Sequence, residues 1–333
     1  MPSSAVRTFT DPDSYHAAIR GVQAQGVIIG RGDFRADFAT IGLDRLSLQR
    51  ARETLPRVTY SAVDPKQFGF VFITHPGRQV YINGLELSSG EVIVFRAGSE
   101  GHNRSSAACQ WGSIALTHEA AAAAGQTLIG RELTAPPYTR AFRPPAPLLS
   151  RLLSLHESAG HLARTAPDIL SQPEVARALD QSLVHAMVSC ISGAVAAETS
   201  SAHHRHAGVM RRLEALLEAN ADRTLYVAEL CAATGASDRT LRVCCQEHLG
   251  MSPMRYLWLR RMYLARRALR IADPGATTVT EIATSYGFWE LGRFSVAYRS
   301  LFGEAPSAAL RRPAEDPRSQ KNIGSPWQLP ESA

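Results

Sequence analysis

The sequence predicts an α+β protein with a β-rich N-terminal domain, which forms a small barrel, and an all-α C-terminal domain. Three patterns support this prediction. Short β-prone runs of period two occupy residues 27–116, apolar positions at helical spacing follow in residues 148–197, and one motif appears twice between residues 227 and 306. A chain of 333 residues has room for two such domains, each with its own core.

The β-rich region follows a loose lead-in that contains a short helix near residues 14–22. Strands are predicted at residues 27–29, 39–48, 68–73, 80–87, 92–95 and 113–116. Asn83-Gly84 lies between alternating residues, which is the strongest local signal for a two-residue hairpin turn. Many short strands separated by Gly, Pro and Asp predict a small β-barrel or jelly roll.

Two helices are predicted after a proline-rich break, at residues 148–162 and 173–197. The second helix carries an apolar stripe on one face, formed by Val175, Leu179, Leu183, Met187, Cys190 and Ile191. This stripe either packs on the barrel of its own chain or forms the seam of a homodimer.

The motif that appears twice has a period of 52 residues, from Glu229 to Glu281. Each copy starts with an acidic residue and an apolar pair, continues to a glycine, and ends in Gly-x-x-Pro. Gly235 and Gly287 are expected at positive φ, where the chain turns between two helices. Ser237 is expected to cap the second helix of the first copy. Each copy therefore predicts a helix-turn-helix unit.

A continuous helix is predicted between the two units, over residues 253–271. Its roughly 18 residues, at a rise of roughly 1.5 Å each, form a rod of about 27 Å. Successive major grooves on one side of duplex DNA are about 34 Å apart. The spacing suits two units that contact one face of DNA.

Residues 209–312 resemble the DNA-binding domain of the AraC/XylS family of bacterial transcription regulators. Within them, Gly287-Phe288-Trp289-Glu290-Leu291-Gly292-Arg293-Phe294 is similar to the subgroup that contains the ethanolamine-utilisation regulator. Residues 32–34, 43–44, 172–173 and 186–187 extend the similarity upstream. The resemblance implies a cupin-like N-terminal domain that senses a small-molecule effector, and a C-terminal domain that binds a double-stranded DNA operator and meets RNA polymerase.

The predicted domain organisation combines these patterns. It comprises a cupin-like sensing domain (1–145), a helical dimerisation or connector segment (146–200), a polar linker (201–207), a double helix-turn-helix DNA-binding domain (208–312) and a disordered tail (313–333). Residues 1–207 hold 19 basic and 17 acidic residues, whereas residues 208–312 hold 15 and 10. The basic excess therefore lies in the half that is predicted to contact phosphates.

The first recognition helix is predicted to contact DNA through Arg239, Arg242, Val243 and Gln246. Their spacing of i, i+3, i+4 and i+7 puts them on one face. Arginine can bind guanine and glutamine can bind adenine through two hydrogen bonds each, so this face suits the major groove. Val243 replaces an arginine that many family members carry.

The resemblance assigns DNA contacts in the second recognition helix to Leu291, Gly292, Arg293, Ser295 and Val296. Apart from the arginine, this face suits thymine methyl groups and backbone shape rather than hydrogen-bonded readout.

Phosphate contacts are predicted for Arg255, Arg260 and Arg299. Other arginines of the connecting helix, Arg266, Arg267 and Arg270, are expected either to clamp phosphates or to pair with Glu247, Glu281 or Glu290.

The absence of characteristic motifs argues against several kinds of site. Five cysteines without Cys-x-x-Cys spacing argue against a disulfide framework or zinc module, and Cys244-Cys245 is expected to be buried rather than redox-active. His75, His102 and His118 lack the spacing of a cupin metal site, so no metal or other cofactor is predicted. The histidines of residues 203–206 are expected in a solvated linker.

No catalytic residue is predicted either, because the sequence has no Gly-x-Ser-x-Gly elbow, P-loop or dinucleotide motif. No apolar run approaches 18 residues and no signal segment is apparent, so a cytoplasmic protein without a membrane partner is expected.

The patterns together predict a sequence-specific DNA-binding transcription regulator, not an enzyme. The resemblance implies an effector-responsive activator that forms a homodimer. An effector pocket is predicted inside the barrel at Phe70, Phe72, Tyr81 and Val94, with a filled core as the alternative. Two other functions stay open, namely a ligand-independent architectural DNA-binding protein and a cupin enzyme with a DNA-binding module.

Overall fold

The structure is a computed structural model that describes residues 2–75, 79–197, 200–221 and 223–312. The disorder predicted for residues 313–333 therefore lies outside the described residues. We call residues 2–197 the N-terminal part and residues 200–312 the C-terminal part.

The N-terminal part combines strands with a few helices. Its strands are β1 (Ser3–Phe9), β2 (Val22–Ile28), β3 (Ala36–Gly42), β4 (Leu46–Glu53), β5 (Arg57–Val63), β6 (Gln67–Ile73), β7 (Val80–Ile82), β8 (Leu85–Leu87), β9 (Val92–Val94), β10 (Glu100–Ser105), β11 (Cys109–Thr117), β12 (Arg140–Arg143) and β13 (Val195–Ala196). Its helices are α1 (Pro12–Ala18), α2 (His118–Ile129), α3 (Ala146–Thr165), α4 (Pro167–Leu170) and α5 (Pro173–Ser192).

The strands form two antiparallel sheets. One has the order β1-β3-β4-β11-β6-β9-β12-β13 and the other has the order β2-β5-β10-β7-β8. Within the described residues no strand pairing joins the two sheets into a ring, so the predicted closed barrel is not what these strands form. The predicted single strand over residues 39–48 is two strands, because Leu43 N–H donates to Leu46 O (2.8 Å) and closes a turn.

The hairpin at Asn83-Gly84 is confirmed. It joins β7 to β8, and both residues have positive φ, 52° and 81°. Two adjacent residues at positive φ match the right-handed twist of the flanking strands.

Helices α2, α3 and α5 cover one face of the larger sheet and share an apolar core with it. Leu183, Met187 and Cys190 of α5 are completely buried in that core. These three side chains therefore pack on their own chain, as one of the two interpretations of the stripe predicts, and they are not available as a dimer seam.

The C-terminal part is helical. It contains α6 (Ser201–Ala219), α7 (Val227–Thr234), α8 (Asp238–Leu249), α9 (Pro253–Ile271), α10 (Val279–Ser285), α11 (Leu291–Phe302) and α12 (Pro306–Leu310). Helices α7 and α8 form the first predicted unit, α10 and α11 form the second, and α9 has the predicted bounds. The turn glycines have φ of 63° at Gly235 and 76° at Gly287, and Ser237 caps α8 by accepting from Thr240 N–H (3.2 Å).

The predicted linker at residues 201–207 is wrong. These residues form the first two turns of α6, which Ser200 caps by accepting from His203 N–H (3.2 Å). The sequence appears polar here because His203 and His206 hydrogen bond to Glu247 of α8 (3.2 and 2.6 Å) instead of packing in an apolar core.

Candidate nucleic-acid interface

Helix α8 separates a buried face from a polar, solvent-exposed face. Leu241, Cys244 and Cys245 are completely buried against the neighbouring helices, as predicted for the cysteines. The four residues predicted to contact DNA lie on the opposite side and are exposed: Arg239, Arg242, Val243 and Gln246. Arg242 Nε donates to Asp238 (2.9 Å). The arginine side chain is 58% exposed and the aspartate side chain is 49% exposed. A guanine or phosphate can therefore compete for this guanidinium without any burial of unpaired charge.

Helix α11 has the same two-faced structure, and it starts one residue later after the turn glycine than α8 does. Phe294 and Tyr298 are buried, whereas Val296 is 72% exposed. Gly292, Arg293 and Ser295 are also exposed, and Leu291 is half-buried. Arg293 pairs with Glu290 (2.9 Å) at the surface. The five predicted residues thus start at the N-terminal end of one helix, and four of them are open to solvent.

Helix α9 connects the two units and contacts α8, α10 and α12. Its 19 residues span roughly 28 Å at 1.5 Å per residue. Because α9 packs against elements of both units, it holds them in a fixed arrangement, and its length is comparable to the roughly 34 Å between successive major grooves.

Two of the three predicted phosphate contacts are exposed, and one is not. Arg255 is exposed and its guanidinium lies 4.4 Å from the centre of the Trp258 ring, and Arg299 is exposed on α11. Arg260 is only 3% exposed, so the prediction that it contacts phosphate is wrong. Burial of Glu214 raises the pKa of that carboxyl, but the charges of His102 and Arg260 outweigh burial and hold the pKa below its usual value. Arg260 therefore acts inside the protein.

The three other α9 arginines considered in the sequence analysis contact the N-terminal part instead of Glu247, Glu281 or Glu290. Arg266 donates to Asp11 (2.9 Å), Arg267 donates to Asp13 (3.0 Å), and Arg270 pairs with Asp11. These side chains are 10–18% exposed. The three expected acidic partners have other roles: Glu247 binds the α6 histidines, Glu281 caps α10 through Thr278, and Glu290 pairs with Arg293.

Trp289 is an exposed side chain to which sequence reasoning assigned no role. It is 77% exposed in the turn before α11. Counted from the turn glycine, it occupies the position that Ser237 has in the first unit, but α11 starts one residue later and its N-cap is Glu290. A large aromatic residue where the first copy has a serine was the available signal.

The four residues predicted to line an effector pocket are not brought together. Phe70, Phe72 and Val94 are each 1% exposed and belong to the filled core between the larger sheet and its helices. Tyr81 lies on the other sheet, where the Arg104 guanidinium stacks 3.5 Å from its ring centre.

No group of His, Cys, Asp or Glu in residues 2–75, 79–197, 200–221 and 223–312 is arranged to hold a metal ion. Over the same ranges, no helix combines the length and hydrophobicity that crossing a bilayer requires.

The helix-turn-helix domain family matches residues 230–312, which run from within α7 to just beyond α12. The chain is similar to a probable thc operon regulatory protein of Rhodococcus erythropolis, with 35% identity over 159 residues, 48% of this chain and 48% of that protein. It is also similar to XylDLEGF operon transcriptional activator 2 of Pseudomonas putida, with 35% identity over 99 residues, 30% of this chain and 63% of that protein. The chain thus spans less than two thirds of either relative.

A solved structure of a probable AraC family transcriptional regulator from Rhodopseudomonas palustris CGA009 is 40% identical. That similarity covers 32% of this chain and 98% of that chain, with a TM-score of 0.29. The similarity to regulators of the AraC/XylS type therefore lies in residues 230–312, which hold most of the first helix-turn-helix unit and all of the second.

Proposed function

We propose that the protein is a sequence-specific DNA-binding transcription regulator that activates its target operon. The observation that carries this proposal is the pair of helix-turn-helix units, whose exposed recognition faces are joined by the single rigid helix α9. The basic excess of the C-terminal part and the names of the curated relatives support it.

In this proposal the two recognition helices read DNA in different ways. Arg239, Arg242 and Gln246 of α8 offer hydrogen bonds to base edges in one major groove. The exposed face of α11, with Val296 at its centre, offers apolar contact to thymine methyl groups and follows backbone shape in the next groove. Arg255 and Arg299 hold phosphates and position both helices.

The domain organisation and the partners belong to the same proposal. Residues 1–145 act as a cupin-like sensing domain, residues 146–200 as a helical dimerisation or connector segment, and residues 208–312 as the DNA-binding domain. The protein is a cytoplasmic homodimer without enzymatic activity, and it meets RNA polymerase at the promoter. Similarity of residues 287–294 to the ethanolamine-utilisation subgroup remains a prediction about the effector.

A second function, ligand-independent architectural DNA binding, is favoured by one observation. Phe70, Phe72 and Val94 are in a filled core, which leaves the predicted effector site without space for a ligand. Calorimetric titration of the full chain with metabolites of the neighbouring operon, with and without operator DNA, distinguishes the two functions. Coupled binding of effector and DNA supports the effector-responsive regulator, because such coupling is reciprocal.

The first test examines the recognition helix α8. Wild-type protein selects a duplex from a random pool, and replacement of Arg242 or Arg239 by alanine is expected to weaken binding to it by about 1–3 kcal/mol. Each change is also expected to relax preference at one base position, within the half of the footprint that α8 contacts. Fluorescence anisotropy and repeated selection measure both effects.

The matched control is Arg177→Ala, which removes an exposed arginine from α5, far along the chain from the recognition helices. If the two α8 variants bind as tightly and as selectively as this control, the assigned reading face is wrong. If wild-type protein selects no sequence, the proposed function itself is wrong.

A further inference from the structure

A groove of about 500 Å³ lies between the N-terminal part and the second helix-turn-helix unit. Its walls come from three elements that are distant in sequence. They include Arg31 in the segment after β2, Arg255 and Trp258 of α9, and Arg293, Val296 and Leu301 of α11. Because α11 contributes exposed residues of its recognition face, the groove opens where that helix is expected to meet DNA.

The charge of the groove is positive. Three arginines line it, Arg31, Arg255 and Arg293, and none of its lining residues is acidic. Arg293 pairs with Glu290 outside the groove, at a distance of 2.9 Å and with both side chains largely exposed. An apolar floor with cationic walls is complementary to an anion that carries an organic group.

The position of Arg31 is set by contacts on both sides of the groove. Ile28 N–H donates to the Tyr263 hydroxyl of α9 (2.8 Å), and Ile29 N–H donates to Pro56 O (2.9 Å). Gly30 packs so closely that an added Cβ would lie 2.6 Å from Pro56 Cδ. The segment that carries Arg31 is therefore attached both to its own sheet and to the helix that joins the two units.

We propose that this groove binds the DNA phosphate backbone, and that Arg31 contacts a phosphate from the N-terminal part. The inference rests on the proposed function. When the face of α11 that contains Val296 enters a major groove, the phosphates at the edge of that groove pass beside the helix. On this side of α11 the opposite wall is Arg31, so the sensing part of the protein contributes directly to DNA affinity.

The test compares Arg31→Ala with Arg31→Lys, Arg177→Ala and Arg255→Ala, each in the full chain. The probes are a duplex of about 30 base pairs, roughly three helical turns, selected by wild-type protein, and a scrambled duplex of equal length. Arg31→Ala is expected to weaken binding to both duplexes by roughly 3- to 30-fold, and to reduce the slope of log affinity against log salt by about 1. Arg31→Lys should retain most of the slope because it keeps the charge.

Ethylation interference gives a readout that a purely structural role does not change. Wild-type protein should be sensitive to ethylation of one phosphate that Arg31→Ala tolerates, in the half of the site that α11 contacts. If wild type binds while Arg31→Ala matches Arg177→Ala in affinity and slope, the inference is wrong. Tighter binding by Arg31→Ala means that the segment obstructs DNA and also overturns it, whereas a wild type that binds neither duplex overturns the proposed function instead.

Discussion

At the scale of single residues, the repeated motif correctly predicted the backbone conformation of the two turn glycines, but it did not predict which atoms surround them. Gly235 and Gly287 both have positive φ, as two helices joined by a tight turn require. Their environments differ, however. A Cβ at Gly235 would meet no heavy atom within 4 Å, whereas a Cβ at Gly287 would lie 2.5 Å from Thr224 Oγ1 and 2.9 Å from an Arg261 nitrogen. Those neighbours come from outside the repeated motif, so the repeat could not predict them.

This difference allows backbone strain to be separated from crowding. Gly235→Ala should cost about 1 kcal/mol of unfolding free energy, the cost of the left-handed conformation alone. Gly287→Ala should cost at least about 1 kcal/mol more, because Thr224 or Arg261 must also move. Urea unfolding followed by circular dichroism measures both values. Equal losses in the two variants would mean that the second turn adapts freely.

The arginines of α9 show that residue spacing alone does not tell which face of a helix is buried. Arg255 is exposed but Arg260, five residues later, is buried. Helical periodicity places the two on different faces. It does not say which face the N-terminal part covers, because that contact joins residues more than 100 positions apart, such as His102 and Tyr256 (3.3 Å).

At the scale of elements, strongly amphipathic helices were predictable and strands buried on both faces were not. The bounds of α9 follow from its apolar spacing and from Pro253 at its first turn. Strand β6 is buried over most of its length on both faces, so its alternation does not say which side lies between the sheets. Phe70 and Phe72 were therefore assigned to a barrel interior, although they face the helices.

Helix α6 contains a carboxyl group whose titration should affect stability near neutral pH. Burial, together with the nearby charge of Glu214, raises the pKa of Glu218 from 4.5 to about 7. A raised folded-state pKa contributes stability that is complete below pH 4.5 and is lost as pH rises through about 7. Relative to wild type, Glu218→Gln should therefore gain stability over this range, because glutamine resembles the protonated form.

The measurement is the unfolding free energy of both proteins at several pH values from about 4.5 to 8, the window set by the raised pKa. Glu119→Gln, an exposed carboxyl on α2, is the control for the change in net charge. His248 has a pKa lowered to about 3, chiefly by burial, and it is present in every variant, so its own pH effect cancels in the comparison. Parallel curves for wild type and Glu218→Gln would contradict the prediction.

At the scale of the whole molecule, the two parts are more closely joined than the charge split suggests. One of the two apolar core clusters contains residues of both parts, whereas the other lies wholly within the N-terminal part. Buried Glu214 of α6 accepts hydrogen bonds from His102 of β10 (2.7 Å) and from Tyr256 of α9 (2.8 Å). Composition locates the basic half of the chain, but it carries no information about contacts between halves. A change in the N-terminal part therefore has a direct physical route to the helix that spaces the reading units.

Asp11 allows a direct test of the contact between the two parts. One substitution separates its role as the cap of α1 from its role as an ion-pair partner of α9. Its carboxylate caps α1 by accepting from Ser14 N–H (3.0 Å) and also faces Arg266 and Arg270 of α9. Asp11→Asn keeps a capping oxygen but removes the charge. Arg266 is 10% exposed and keeps only longer contacts, to Asp13 (3.7 Å) and Glu304 (4.0 Å), so loss of its nearest partner should cost about 2 kcal/mol. Asp37→Asn, which removes half of an exposed pair with Arg35, should cost at most about 1 kcal/mol.

Acidification should remove the effect of the Asp11 substitution. Burial raises the pKa of Asp11, but the charges of Arg266 and Arg270 outweigh burial and hold the pKa well below its model-peptide value of 3.8. A lowered carboxyl pKa contributes stability that is complete above pH 3.8 and is lost as pH falls through the folded-state value. The gap between wild type and Asp11→Asn, measured by guanidinium unfolding and by calorimetry, should therefore be constant near neutrality and shrink below pH 3.8. A gap no larger than that of Asp37→Asn at every pH would mean that the ion pairs between α1 and α9 do not hold the two parts together.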